Sequence, residues 1–244
     1  MSFLLRSHFW RKVHKYLGWV LLLQFICWFG SGLVMSVLPI TEVRGEHVRK
    51  AFVAPDWSRA ISPAVLAQQH PDYHLKLSQQ GSMPVYQFSQ DHQQLYYSAI
   101  TGQAVAPLTE AEVKNLARQQ YQGTAEIEQI QRLQQAPFEV RHLPAPLWLV
   151  QFADEEGSSF YLEEHSGKLL SVRNNNWRLF DFVWMLHIMD YENRENFNHP
   201  LLILFSATAL LFTLSGAVLL PWRRKKVSGY NRDKPIPANS SKPL

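Results

Sequence analysis

The sequence predicts a membrane protein in which two transmembrane helices flank an exported α+β domain, with a short amphipathic helix at the interface before the second span. Three observations carry this reading. Two long stretches hold no charged residue, both ends of the chain are basic, and the region between alternates apolar and polar residues as strands do.

The N-terminal segment, 1–15, carries Arg6, Arg11, Lys12 and Lys15 with no acid. Residues 16–38, from Tyr16 to Leu38, then contain no Asp, Glu, Lys, Arg or His. A helix rises ~1.5 Å per residue and the hydrocarbon core is ~30 Å thick, so this run spans. Its apolar core is too long for a signal peptide and no small-x-small site follows, so it reads as an uncleaved anchor. A second uncharged run, Pro200 to Leu220, forms the span assigned to 199–221, and the tail 222–244 is basic, Pro-rich and expected to be disordered. The two ends together carry about ten net positive charges and the region between about six negative ones. Lys and Arg stay in the cytoplasm, so both termini are expected inside and the central region outside, in the periplasm of a bacterial inner-membrane protein. The basic balance is thus a topology signal and implies no nucleic-acid partner. The single cysteine, Cys27, lies in the first span, so the exported domain folds without disulfides.

Residues 39–175 show one pattern twice. A helical segment precedes each copy: "SPAVLAQQH", with Ser62 and Pro63 as cap and first turn, and "TEAEVKNLARQQY", where Thr109 and Glu112 have capping-box spacing. Strand-like "YHLKLS" and "AEIEQIQRL" follow. Each copy then continues as two strands, a turn at Thr101–Gly102 or Ser166–Gly167, and a third strand. Superposing Gly102 on Gly167 aligns Leu95-Tyr96-Tyr97 with Phe160-Tyr161-Leu162. The expectation is a diverged duplication of a helix-plus-antiparallel-sheet unit.

A helix–sheet unit ending in such a turn resembles the PepSY repeat, and the flanking spans resemble the PepSY-associated transmembrane family. The supporting motifs are "WRKVHKYLGW" (Trp10 to Trp19) at the first helix, Leu186-His187 before the last, and Ser215-Gly216 ahead of the exit "PWRRKK". The resemblance covers the chain to about residue 226. It implies an iron-regulated inner-membrane protein or a haem-containing reductase of ferric iron or a ferric chelate. Several members have four spans where this chain has two, so it also implies a homodimer.

Most of the ten histidines need no special role. His47, His70, His74, His92, His142 and His165 fall in polar stretches and are expected to be solvated, and His8 lies among the N-terminal cations. Pro71 ends any helix that would pair His70 with His74. Three remain. His14 precedes the uncharged core of the first span, with Gly18 one turn deeper on the same face, where a flat macrocycle has room to approach. The alternative is a headgroup-level histidine with Gly18 serving helix packing. His187 closes an aromatic helix, 176–190, that brings Trp177, Phe180 and Trp184 to its face. His199 opens the second span ahead of Pro200, which fixes the entry angle.

Ionisable side chains at membrane depth are costly and mark function, and neutral imidazole is the least costly and a standard haem ligand. Together with the resemblance, this points to non-covalent haem b, since there is no Cys-x-x-Cys-His motif. The axial ligands rank His187, then His14, then His199, shared across a two-fold bundle whose aromatics include Phe25, Trp28, Phe205 and Phe212. No flavin or NAD motif is present, so a cytoplasmic or quinol donor is external, and no specific catalytic residue is singled out. Other readings are a membrane-anchored, non-enzymatic PepSY interaction or inhibitory module, and a sensor or assembly factor of a larger complex.

Overall fold

The apolar runs become the two longest helices of the chain. A computed structural model describes residues 7–91 and 93–227, with the backbone alone for Ser7 and residues 221–227. His92, Arg6 and the tail beyond residue 227 lie outside the described residues. Helix α1 runs Ser7–Val37, and the last helix, α6, runs Pro200–Val227. Both therefore extend past the boundaries that hydropathy gives. Lys and Arg are good helix formers, so the basic flanks at 7–15 and 222–227 continue the helices instead of forming separate segments. Each helix is long and apolar enough to cross a membrane. Their large apolar side chains stand uncovered, Leu23 and Phe29 being 73% exposed. A core helix of a water-soluble domain buries that surface, so these helices make the chain a membrane-associated protein.

The chain divides into two compact units. One joins the first helix to the chain from Val183 onward, and the other is Ser36–Phe182. The second is the mixed α/β domain. It opens with the short helix α2, Ile40–Val43, and a 3-10 turn at Glu46–Val48. Helix α3, Ala64–Gln69, precedes an antiparallel sheet of β1 (His74–Gln80), β2 (Met83–Gln90) and β3 (Gln93–Ser98). Helix α4, Glu110–Gln120, precedes a four-stranded antiparallel sheet in the order β4 (Ile127–Leu133), β5 (Leu147–Phe152), β6 (Ser159–Glu163) and β7 (Leu169–Arg173). Both sheets follow chain order, each strand pairing antiparallel with the next.

The expected superposition of the two turns appears in the backbone bonding. Gly102 N–H donates to Ser98 O at 2.8 Å, and Gly167 N–H to Glu163 O at 3.0 Å. Ser98 N–H and Glu163 N–H in turn donate to Gln103 O and Lys168 O, both at 2.8 Å. Gly102 and Gly167 have φ of +72° and +67°, which a side chain would strain. The third strand expected in the first copy is only a bridge, Tyr97 opposite Ala104, because Pro107 soon follows and the chain leaves for α4. Thr109 caps α4 in a full capping box with Glu112. Ser62 is not the N-cap expected of it: α3 begins only at Ala64, and Ser62 Oγ merely accepts from Ala64 N–H at 3.3 Å.

Two cores hold the domain. Val113, Ala117 and Tyr121 on and after α4 pack against Val150, Phe152, Phe160 and Leu162, while Leu66 of α3 packs on Tyr86 and Phe88. Each buried phenylalanine contributes about 1.5–3 kcal/mol. Two histidines expected in solvent belong here. His70 is half-buried, with its Nε2 2.8 Å from Tyr97 Oη and its ring against Phe88, and His165 stacks on Tyr96 at 4.1 Å. The C-cap of α3 and the β6–β7 turn set their ring faces against rings of β2 and β3 while the nitrogens keep polar partners. Pro71 does end the helix, and α3 stops at Gln69.

Candidate functional site

Helix α5, Asn175–Ile188, begins where Asn174 Oδ1 accepts from Trp177 N–H at 2.8 Å, an N-cap bond that a short polar side chain makes well. Its last turn carries His187 into the membrane unit, where the imidazole meets α1. Ser31 Oγ lies 2.9 Å from His187 Nδ1 and, as hydroxyl donor, 3.1 Å from Trp28 O. With the serine proton assigned to its own helix carbonyl, the matching tautomer of His187 is the one whose Nδ1–H donates to the oxygen. That leaves Nε2 as the nitrogen with the lone pair. The indole N–H of Trp28 donates to His187 O at 2.8 Å and satisfies a carbonyl that the helix end leaves open. Gly32 comes within contact range of the imidazole: a Cβ there would sit 3.7 Å from His187 Cε1.

His14 repeats this arrangement with the roles of the helices exchanged. Its Nδ1 lies 2.9 Å from Ser215 Oγ and 3.2 Å from Phe212 O. Ser215 Oγ–H donates to Phe212 O at 2.7 Å. The proton on the imidazole is again on Nδ1, and Nε2 is left as the lone-pair nitrogen. Gly216 makes the close approach possible, since a Cβ there would be 3.1 Å from His14 Cε1. Among the described residues neither Nε2 has a hydrogen-bond partner.

Gly18 does not leave the open space that its spacing from His14 suggests. The Phe212 ring stacks on His14 at 4.1 Å and 10°, and its edge would lie 3.1 Å from a Cβ on Gly18. The contact continues as a chain of rings. Phe212 is 5.6 Å from Phe25, and Phe25 is 6.4 Å from Trp28, which holds His187. His14 and Ser31 are 17 positions apart on α1, so the two imidazoles stand roughly 25 Å apart along the helix.

His199 has no such seat. It precedes the first residue of α6, Pro200, and its carbonyl accepts the Ile203 N–H at 3.2 Å. Its Nδ1 is buried without a hydrogen-bond partner among the described residues, so no neighbour selects its tautomer. The polar loop ahead of it is organised by one buried carboxylate. Asp190 Oδ1 accepts from Glu192 and Asn193 N–H, and Oδ2 from Glu195 and Asn196 N–H, at 2.9–3.3 Å. These backbone donors, Asn196 first, hold its carboxyl down at about 2 against the opposing effect of burial.

Ser31 and Gly32 were not singled out by sequence reasoning. Their signal is a Ser-Gly pair inside each apolar run, at 31–32 and at 215–216.

Among the described residues no three His, Cys, Asp or Glu side chains gather as a metal site, so a free metal ion has no donor set here. A haem asks for less: one neutral imidazole on a face of the iron, its other nitrogen held by an acceptor. His187 and His14 each fit that requirement, and each offers a single ligand. Comparisons with protein-family models, with curated proteins and with solved structures give no match to this chain.

Proposed function

We propose that the chain is a b-type haem electron-transfer protein of the bacterial inner membrane, which reduces ferric iron or a ferric chelate on the outer side. The observation that carries this reading is the pair of serine-seated imidazoles. Each is locked in the tautomer that an axial ligand needs, and they occupy two levels roughly 25 Å apart, close to the hydrocarbon thickness. A bound haem supplies reversible one-electron chemistry of its iron. The chain supplies the rest. His187 and His14 present Nε2, Ser31 and Ser215 hold the opposite nitrogen, and Phe212, Phe25 and Trp28 fill the interval between the two levels with rings.

The separation means that one chain cannot place both imidazoles on one iron. The second ligand at each level then comes from a second copy, in a two-fold homodimer that covers part of the exposed helix faces. The charge bias supports an arrangement with both termini inside and the α/β domain in the periplasm. The domain's two helix-plus-sheet units fit the PepSY resemblance. Electrons enter from an external cytoplasmic or quinol donor.

The test is the absorbance spectrum of the protein purified in mild detergent from haem-replete cells, before and after dithionite. A Soret band that sharpens with a visible α-band is expected, and His187→Ala and His14→Ala should each remove part of it. A colourless, folded protein would overturn the reading. It would favour instead a membrane-anchored interaction module, or a sensor or assembly factor.

A further inference from the structure

The outer strand of the three-stranded sheet has an open edge. Pro84 O accepts from Ala99 N–H at 2.9 Å, so Pro84 turns its backbone towards the β3 side. Gln79 is opposite Pro84, and opposed residues of an antiparallel pair exchange both backbone bonds or neither. Alternation then points the N–H and C=O of Gln79, Leu77 and Leu75 away from β2. Among the described residues no strand pairs with that side of β1. The segment before α3 is tied to the end of the strand, where Gln79 Nε2 donates to Val53 O at 3.0 Å.

Leu75 and Leu77 lie opposite Phe88 and Tyr86, so their side chains share the core face of the sheet. Leu66 of α3 packs on Tyr86 and Phe88 but leaves the two leucines 39% and 61% exposed. Proteins blunt such edges with bulges, charges or proline, because an open flat edge pairs with another strand. The outer strand of the other sheet, β4, follows that rule. Its register shifts between Ile127 and Gln129, and it carries Glu128 and Arg132. β1 instead pairs with β2 over seven residues without a shift, and its single lysine, Lys76, falls on the opposite face from the leucines.

We propose that β1 pairs antiparallel with β1 of a second copy across a two-fold axis at Leu77, joining two three-stranded sheets into one of six strands. Strand length and charge select that register. Leu77 is the midpoint of His74–Gln80, so an axis there, and nowhere else, pairs all seven residues. It sets Leu77 against its own copy, Leu75 against Gln79, and Lys76 against Ser78, each contact occurring twice as a two-fold interface requires. An axis at Lys76 would put two ammonium groups directly opposite each other, which destabilises a strand pair. Seven paired residues bury little area by themselves. Two chains anchored in one membrane, however, meet at a raised effective concentration, so a small interface suffices. The proposal concerns the α/β domain and is independent of haem.

The experiment is disulfide cross-linking of the full chain in membranes with copper phenanthroline, after Cys27→Ser removes the single native cysteine. Opposed, mutually bonded residues have Cα atoms about 5.5 Å apart, within disulfide range. Leu77→Cys is expected to give at least tenfold more dimer than Leu75→Cys or Gln79→Cys alone. Those two would stand roughly 14 Å from their own copies, four residues along the strand. Leu75→Cys and Gln79→Cys together in one chain should restore the dimer, since the axis sets each opposite the other. Adding Leu77→Pro to that double variant removes an outward N–H and should lower the dimer at least tenfold, while β1 keeps its ladder with β2. The unfolding midpoint of each variant in detergent shows that it is folded. No dimer from folded Leu77→Cys overturns the proposal. So does as much dimer from Leu75→Cys alone as from Leu77→Cys, or Leu77→Pro without effect on the double variant.

Discussion

Ser31 Oγ and His187 Nδ1, 156 positions apart in the chain, lie 2.9 Å apart, and Ser215 and His14 repeat the contact across 201 positions at the same distance. A hydroxyl whose proton is already given to a helix carbonyl can only accept from the imidazole. Two serines thereby select the same tautomer at two levels of the membrane unit.

Ser31→Ala and Ser215→Ala remove that acceptor without opening a large cavity. Each loses a hydrogen bond, about 1 kcal/mol of stability. On the proposed function each also weakens haem retention on the order of 10–100-fold, as loss of an outer partner of a ligating histidine does. Haem titration of the apoprotein measures it, and unchanged affinity in both would show that the serines do not tune the imidazoles.

The two glycines should differ. Gly216→Ala puts a Cβ 3.1 Å from His14 Cε1, tighter than an ordinary contact, so the ring must shift by a few tenths of an ångström. Gly32→Ala meets His187 Cε1 at 3.7 Å, an ordinary van der Waals distance. Gly216→Ala is expected to perturb the His14 environment in imidazole NMR spectra, and Gly32→Ala to leave that of His187 nearly unchanged. Equal effects would contradict the geometry.

Asp190→Ala removes the acceptor of four backbone N–H groups in the loop before α6. Loss of hydrogen bonds to a charged, buried acceptor costs about 2 kcal/mol or more. The expected outcome is fast limited proteolysis between residues 190 and 199, with the α/β domain intact. The folded-state pKa is depressed to about 2, so this stabilisation is fully present above the ordinary aspartate value and is lost as pH falls through about 2. Hydrogen exchange of the Asn196 amide at neutral and acid pH reads the same linkage, and protection that survives Asp190→Ala would sink it.

Thr109→Ala breaks the capping box at α4, where the hydroxyl accepts from Glu112 N–H and the Glu112 carboxylate accepts from Thr109 N–H. A loss of about 1 kcal/mol is expected, read as a lower unfolding midpoint of the α/β domain. Those hydrogen bonds, first that of the Thr109 side chain and then that of its backbone, hold Glu112 below its usual range. The box is therefore intact above the ordinary glutamate value and weakens as pH falls below it.

What was legible in the sequence follows from the range of the physics involved. The capping box is four adjacent residues, and the turns at Gly102 and Gly167 need only a left-handed glycine and flanking strands. The apolar runs read directly because an unpaired charge is costly in hydrocarbon. His70 and His165 were misplaced because a histidine in a polar stretch of sequence can still lie against Phe88 or Tyr96 once strands pair. Gly18 was read as open space, since nothing on α1 announces the Phe212 ring from α6.

By itself the sequence determined two membrane-length helices, the α/β domain between them, and the imidazoles at the ends of the apolar runs, all through local patterning of charge and hydropathy. Only the tertiary structure decided which nitrogen of each imidazole is held, because that depends on a serine brought in from another helix. It also left His199, already the last of the three by sequence, with no hydrogen-bond partner at its buried Nδ1 among the described residues. Side-chain pairing across helices rests on distance in space, and a one-dimensional pattern carries no record of it.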